Sequence, residues 1–268
     1  MKPDIFKKYQ DIILQHSGIS LKDGKDILLK GRLAGRIQQL GLRDEEAYLD
    51  HLAAEKSMDE LTQMIDLVST NVTSFMREPV HFNVTREALA EIWQRGPREV
   101  RYWSAACSSG QEPYTLAMVA LDVAKSLKIA PSNIKILATD ISTAILERAT
   151  RGIYTKRELT GVTEHWLRRY FEKTGQPDEY VVRPEVRKLV TFRRLNLSQS
   201  PYPMQGPFDA IFCRNVMIYF EEDVRRLIVS ESERLLGGNG YLMIGHSENI
   251  PSMQSKLRLI EPTVYRKG

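Results

Sequence analysis

The chain has 268 residues, 42% hydrophobic and 27% charged, with a formal net charge of +4 at neutral pH. That supports one large domain, or a medium domain with a smaller companion. No apolar run approaches the ~20 residues of a membrane helix and no secretory h-region is visible, so the expectation is a cytoplasmic protein without membrane insertion.

In chain order, helical spacing of apolar residues marks Ile5–Leu14, Ile27–Leu40, Ala47–Ala54 and Leu61–Val68, giving an all-helical domain over residues 1–70. Residues 71–98 read as a connector. From residue 99 short apolar runs alternate with helical stretches. Arg101–Ala106, Ile134–Thr139, Val190–Leu195, Phe208–Cys213 and Gly240–Gly245 read as buried strands, and Pro113–Leu127, Ser142–Ala149 and Glu221–Leu236 as helices. The alternation predicts an α/β domain over residues 99–268 with a mostly parallel sheet, and Lys256–Lys267 as an antiparallel edge strand. The strands ending at Asp140 and beginning near Val190 are too far apart for one crossover, so residues 152–190 should hold an inserted β-subdomain. Within it, Tyr180–Arg183 and Lys188–Phe192 alternate as a hairpin would.

Ligands of open α/β sheets bind outside the carboxyl ends of the strands. The first strand ends in Ser104, Ala105, Ala106, Cys107, Ser108, Ser109 and Gly110, small side chains that admit a close ligand, followed by Glu112 and Pro113. The loop lacks the glycine spacing of a pyrophosphate nest, which favours S-adenosylmethionine. Asp140, at the second strand end, is placed to accept from ribose hydroxyls or to cap the next helix. Asn196 and Asn215, after the third and fourth, offer amides for an adenine edge or a methionyl ammonium, or serve as turn residues.

The segments TNVTSFMRE (70–78), WSAACSSGQEPYTLAM (103–118), ILATDIS (136–142), GPFDAIFCRNVMIYF (206–220) and GYLMIGHSE (240–248) resemble the CheR family of chemoreceptor glutamate methyltransferases, in order and over essentially the whole chain. The resemblance implies a Rossmann-like methyltransferase domain with a small inserted β-subdomain behind a helical amino-terminal domain. Its cofactor would be S-adenosylmethionine, with S-adenosylhomocysteine as product. It implies cofactor contacts at Asn71, Thr73, Arg77, Glu112, Asp140, Asn196, Leu197, Asn215 and Val216, beside Ala105 of the loop. The connector then becomes a lid. The expected reaction is esterification of glutamate γ-carboxylates on the cytoplasmic helical bundle of a chemoreceptor. Arg77 would orient a carboxylate, and Tyr219 would stand beside the reacting methyl.

Lys25, Arg32 and Arg36 fall within roughly 40° on the second helix, with Lys22 at the margin. A solvated face is the plain reading; the resemblance makes it the receptor-docking surface. The segment between Phe171 and Val190 is shorter than in tether-binding members, so no receptor tether peptide is expected.

Several alternatives are weaker. A nicotinamide dehydrogenase needs a glycine-rich loop that is absent here. A non-catalytic cofactor-binding signalling protein would have no use for Arg77 and Tyr219. An RNA methyltransferase should carry RNA-binding motifs, yet the basic excess is small and no nucleic acid is expected. Cys107 and Cys213 cannot build a disulfide framework, and the five histidines lack HxxxH spacing, so no metal is expected.

Overall fold

A computed structural model describes residues 1–54, 59–250 and 255–268, so the predicted spans 1–70 and 99–268 each include a stretch outside the described residues. Four helices, α1 (Pro3–Ser17), α2 (Asp26–Gln39), α3 (Glu45–Ala54) and α4 (Asp59–Val68), open the chain. They bury Tyr9, Ile13, Leu33, Tyr48 and Met64 in a core of their own. The chain then forms α5 (Val80–Arg95) where the sequence reading has only a connector. Its buried stripe includes His81 and Thr85 beside Phe82, Leu89 and Trp93, and the polar members hide the apolar period.

The α/β domain runs β1 (Val100–Ser104), α6 (Gln111–Ser126), β2 (Ile134–Asp140), α7 (Thr143–Arg151), the insertion, β6 (Val190–Arg194), β7 (Phe208–Cys213), α10 (Glu222–Leu235), β8 (Leu236–Ile244), β9 (Leu257–Glu261) and β10 (Val264–Lys267). The sheet order is β6-β2-β1-β7-β8-β10-β9, with β1, β2, β6, β7 and β8 parallel. Successive strand residues face opposite sides: Tyr102 and Phe212 join the core with α5 and α6, while Trp103, Ile211 and Cys213 join the core with α10. Burial on both faces explains the near-continuous apolar strand sequences. Both cysteines are free and buried.

Three expectations need correction. The carboxyl-terminal strand is a pair: β10 lies antiparallel to β8, and β9 adds outside it. The last parallel strand starts at Leu236 rather than Gly240. The insertion consists of β3 (Ile153–Thr155), α8 (Glu164–Tyr170), β4 (Phe171–Lys173), β5 (Glu179–Val182) and α9 (Pro184–Arg187), with strand order β3-β5-β4. Its central strand therefore pairs with Ile153–Thr155 and Phe171–Lys173, not with Lys188–Phe192. The latter segment instead feeds β6 of the main sheet, against β2. A period of two identifies a strand without naming its neighbour.

The helical domain is fastened to the sheet beside the carboxyl ends of the strands. Asp66 of α4 accepts the backbone N–H groups of Thr143 (3.1 Å) and Ala144 (3.2 Å) and the Thr143 hydroxyl (3.0 Å), capping α7 from another domain. Ser20 N–H donates to the Tyr219 carbonyl (2.8 Å), and Ile19 forms a bridge with Phe220. Gly18, which ends α1 at φ 74°, would place a Cβ 2.4 Å from Ser198 Cβ, so only glycine permits this approach.

Candidate active site

A cavity of about 600 Å³ lies between the helical domain and the carboxyl ends of β1, β2, β6 and β7. Its floor takes Ala105, Ala106, Ser108 and Glu112 from the loop after β1 and the start of α6, and Asp140 from β2. Asn196 and Leu197 follow β6, and Asn215, Val216 and Tyr219 follow β7. The roof takes Asn71, Thr73 and Arg77 from the segment between α4 and α5. Lys22, Lys25 and Arg32 line the same cavity. All the sequence-nominated cofactor and catalytic residues thus border one space.

The loop after β1 is small for two reasons. Ala105, Ala106 and Ser108 border the cavity, as a close ligand would need. Gly110 instead faces the interior at φ 93°, where a Cβ would meet the Tyr154 hydroxyl at 3.0 Å and Ala149 Cβ at 3.1 Å. Ser109 likewise turns to protein partners, its hydroxyl donating to Gln111 Oε1 at 2.7 Å and its carbonyl accepting from Tyr154 at 2.6 Å.

Asp140 accepts the N–H of Ser108 at 2.8 Å and of Ser142 at 3.1 Å. Ser142, not Asp140, is the cap of α7, accepting from Ile145 N–H. Burial raises the Asp140 carboxyl above its ordinary range against the pull of those backbone donors. A carboxylate has about four acceptor positions, and the backbone N–H groups of Ser108, Ser142 and Ile141 leave one for a ligand hydroxyl.

Arg214, passed over in the sequence, occupies the centre of the site. Its side chain is buried and joins Glu112 Oε2 (2.9 Å), Glu78 Oε2 (2.9 Å) and the Arg77 carbonyl (2.5 Å), with its guanidinium 5.5 Å from the Phe82 ring centroid. Floor and roof are therefore held by one cation. Burial raises Glu112 despite Arg214 and the Ser104 hydroxyl at 2.7 Å. Glu78 is lowered: burial opposes its charge, but Arg214 and the Asn215 and His246 donors outweigh it.

Glu248 organises the loop after β7, accepting from the N–H groups of Asn215 (2.8 Å), Gly245 (2.6 Å) and Met217 (2.7 Å). Glu78, Arg214 and Glu248 all stand in sequence segments already singled out. For Arg214 and Glu248 the legible signal was a charge following an apolar strand; Glu78, between α4 and α5, had none. Backbone strain collects here too: Met76, Glu78, Ser108 and Asn215 have φ of 55°, 55°, 48° and 58°, each costing of order 1 kcal/mol.

Three nominated groups are already engaged. Asn196 donates to the His16 carbonyl (2.9 Å) and accepts from the Ser198 N–H (3.0 Å) and hydroxyl (2.8 Å). That is an Asx turn tying β6 to α1, so its amide is largely spent before any ligand arrives. Asn215 Nδ2 donates to Glu78 Oε1 at 3.2 Å. Arg77 donates to the Val72 carbonyl at 2.8 Å, within the same segment of the roof.

The basic stripe is not one solvated face. Arg36 pairs with buried Glu60 through Nε (3.0 Å) and Nη2 (2.5 Å), with the Tyr48 hydroxyl on the same carboxylate at 2.6 Å. Arg32 binds the carbonyls of Val68 and Ser69 and the Thr70 hydroxyl, closing the carboxyl end of α4. Lys22 and Lys25 precede α2 and are exposed at the cavity rim.

Residues 71–266 match the family model "CheR methyltransferase, SAM binding domain", and residues 4–69 match "CheR methyltransferase, all-alpha domain". The chain is 40% identical over 262 residues to the chemotaxis protein methyltransferase of Escherichia coli (strain K12), covering 97% of this chain and 89% of that protein. The protein of the same name from Salmonella typhimurium is also 40% identical, over 97% of this chain and 88% of its own length. That of Borreliella burgdorferi is 35% identical, over 96% and 92%.

Proposed function

The chain belongs to the CheR methyltransferase family, and we propose that it esterifies glutamate γ-carboxylates on the cytoplasmic helical bundle of a chemoreceptor. One observation carries this reading: the cavity has carboxylates on its floor, where Arg214 is spent on Glu112 and Glu78, and cations with no carboxylate partner among the described residues on its roof and rim. Glu112 and Asp140 lie on the floor, while Arg77, Lys22 and Lys25 lie on the roof and rim. A cationic donor suits the first surface and an anionic acceptor the second.

S-adenosylmethionine supplies a methyl group already activated on a sulfonium. The floor fits such a ligand: Asp140 keeps an acceptor position for a ribose hydroxyl, and the small Ala105 and Ala106 side chains admit close approach. Among the described residues lining the cavity none is a histidine or cysteine. A glutamate with a pKa near ~4.3 is ionised at neutral pH and asks for no general base. The protein's tasks are alignment and exclusion of water, contributions of about 7–11 kcal/mol in favourable cases. Arg77 orients the incoming carboxylate from the lid, and Tyr219 walls the reacting end of the cavity.

Incubation with methyl-labelled S-adenosylmethionine and a chemoreceptor cytoplasmic fragment tests the assignment. Alkali-labile label is expected on glutamate, and alkali-stable label would reject it. Exposed Lys22 and Lys25 are the docking cations that remain in this reading. The double replacement Lys22→Ala/Lys25→Ala should raise KM for the receptor roughly 5–10-fold, an effect that fades at high salt. An unchanged KM at low salt removes them from docking. The short insertion supports methylation without a tether peptide, so calorimetry with such a peptide should show no micromolar binding.

A further inference from the structure

We propose that Glu78, His81 and His246 form a binding site for a divalent first-row cation of the zinc class. The three residues come from the lid, from α5 and from the loop after β8, and their ligand atoms lie within 4.8 Å of one another. Sequence spacing conceals the group, because His246 reaches it only through the fold.

The decisive feature is the proton arrangement around His81, which is fully buried. Its Nε2 is 2.9 Å from Thr263 Oγ1, and that hydroxyl gives its own proton to the Pro262 carbonyl at 2.6 Å. With its proton directed to Pro262, Thr263 accepts at this contact, which assigns the His81 tautomer. His81 carries its proton on Nε2, and Nδ1 presents a bare lone pair. Nδ1 has no hydrogen-bond partner and faces Glu78 Oε2 at 3.6 Å. A buried imidazole lone pair and a half-buried carboxylate face each other there, with no proton donor between them. A buried acceptor left so costs about 1–3 kcal/mol.

A metal resolves this. Bonds of ~2.0–2.1 Å in tetrahedral geometry separate ligand atoms by about 3.3–3.4 Å, close to the Glu78–His81 distance. The Thr263 contact is the outer hydrogen bond that fixes a ligating histidine's tautomer. His246 is exposed, and its ring centroid lies 5.8 Å from that of His81, so a side-chain rotation brings it into range. Two imidazoles and a carboxylate make a donor set of zinc type with a fourth position open to water. Arg214 approaches the same Glu78 oxygen, but it also serves Glu112. Arg214 holds that oxygen through Nη2 at 2.9 Å and through Nε at 3.3 Å; a metal would displace the longer contact and leave the shorter, as ligating carboxylates are themselves normally hydrogen-bonded. Occupancy would cross-link the lid, one residue after Arg77, to α5 and β8.

The test uses the full chain after chelator treatment. Zn²⁺ is titrated in competition with a metal indicator, and Co²⁺ is followed by its visible absorption. One equivalent of each is expected, with an intense tetrahedral-type cobalt band. His246→Ala alters only an exposed side chain and should weaken both metals at least about tenfold, while His165→Ala on α8 should change neither. Absence of a saturable equivalent overturns the proposal. So does His246→Ala binding as tightly as the parent. Neither readout involves methyl transfer, so failure here leaves the methyltransferase reading intact.

Discussion

Arg214→Met should lower the free energy of unfolding by about 3–5 kcal/mol, measured by urea denaturation. The variant keeps the apolar stem near Phe82 and deletes the guanidinium that serves Glu78, Glu112 and the Arg77 carbonyl. Two carboxylates in the site then lose their common cation, and at least one must take up a proton or pull water inward. The loss should also loosen the lid, so affinity for S-adenosylmethionine should fall even at temperatures where the variant stays folded. Adding Glu78→Gln and Glu112→Gln removes the stranded charges and should restore a substantial part of the stability. It should not restore cofactor affinity, because the floor-to-lid link and the Glu112 charge are both gone. A single-variant loss below about 1 kcal/mol would show that the cluster is not the structural centre of the site.

Arg36→Ala should cost about 2–3 kcal/mol, less than for a fully buried pair because the Arg36 side chain is 21% exposed. Glu60 and Tyr48 would remain buried without their cation. Arg36→Lys should recover little, since an ammonium cannot reproduce the two-pronged contact. The pH dependence gives a second reading. Hydrogen bonds from Arg36 hold Glu60 below its ordinary value, so its folded pKa is depressed. The stabilisation is present above the unfolded pKa near 4.5 and is lost as pH falls through the folded one. Arg36→Ala should flatten that acid limb. A docking residue would behave differently, raising receptor KM while leaving the melting temperature unchanged.

The element pattern was largely legible because each element signals itself locally. The stretch Ile134–Asp140 is apolar enough to be a strand whatever its neighbours, and α6 begins within two residues of its predicted start. Where a polar group occupies a buried position the signal failed. His81 and Thr85 hid α5, although His81 Nε2 pairs with Thr263 and the Thr85 hydroxyl donates to the His81 carbonyl. The insertion misled for another reason. Alternation in Lys188–Phe192 was real, but it served the edge of β2 rather than the small sheet.

The amino-acid sequence by itself determined the α/β architecture behind a helical domain and the strand ends that carry the cavity residues. Periodicity and short apolar runs are properties of neighbouring residues, and they need no knowledge of distant contacts. The loop from Ser104 to Glu112 and the acid at Asp140 belong to that legible part. Only tertiary structure decided how each charge is used. Arg36 and Lys25 are alike in a helical projection, yet Glu60 meets one and solvent the other. Arg214 looked like a flank of Asn215 until Glu78 and Glu112 arrived from remote segments. A charged side chain takes its energy from its partners and its burial, and the fold alone supplies both.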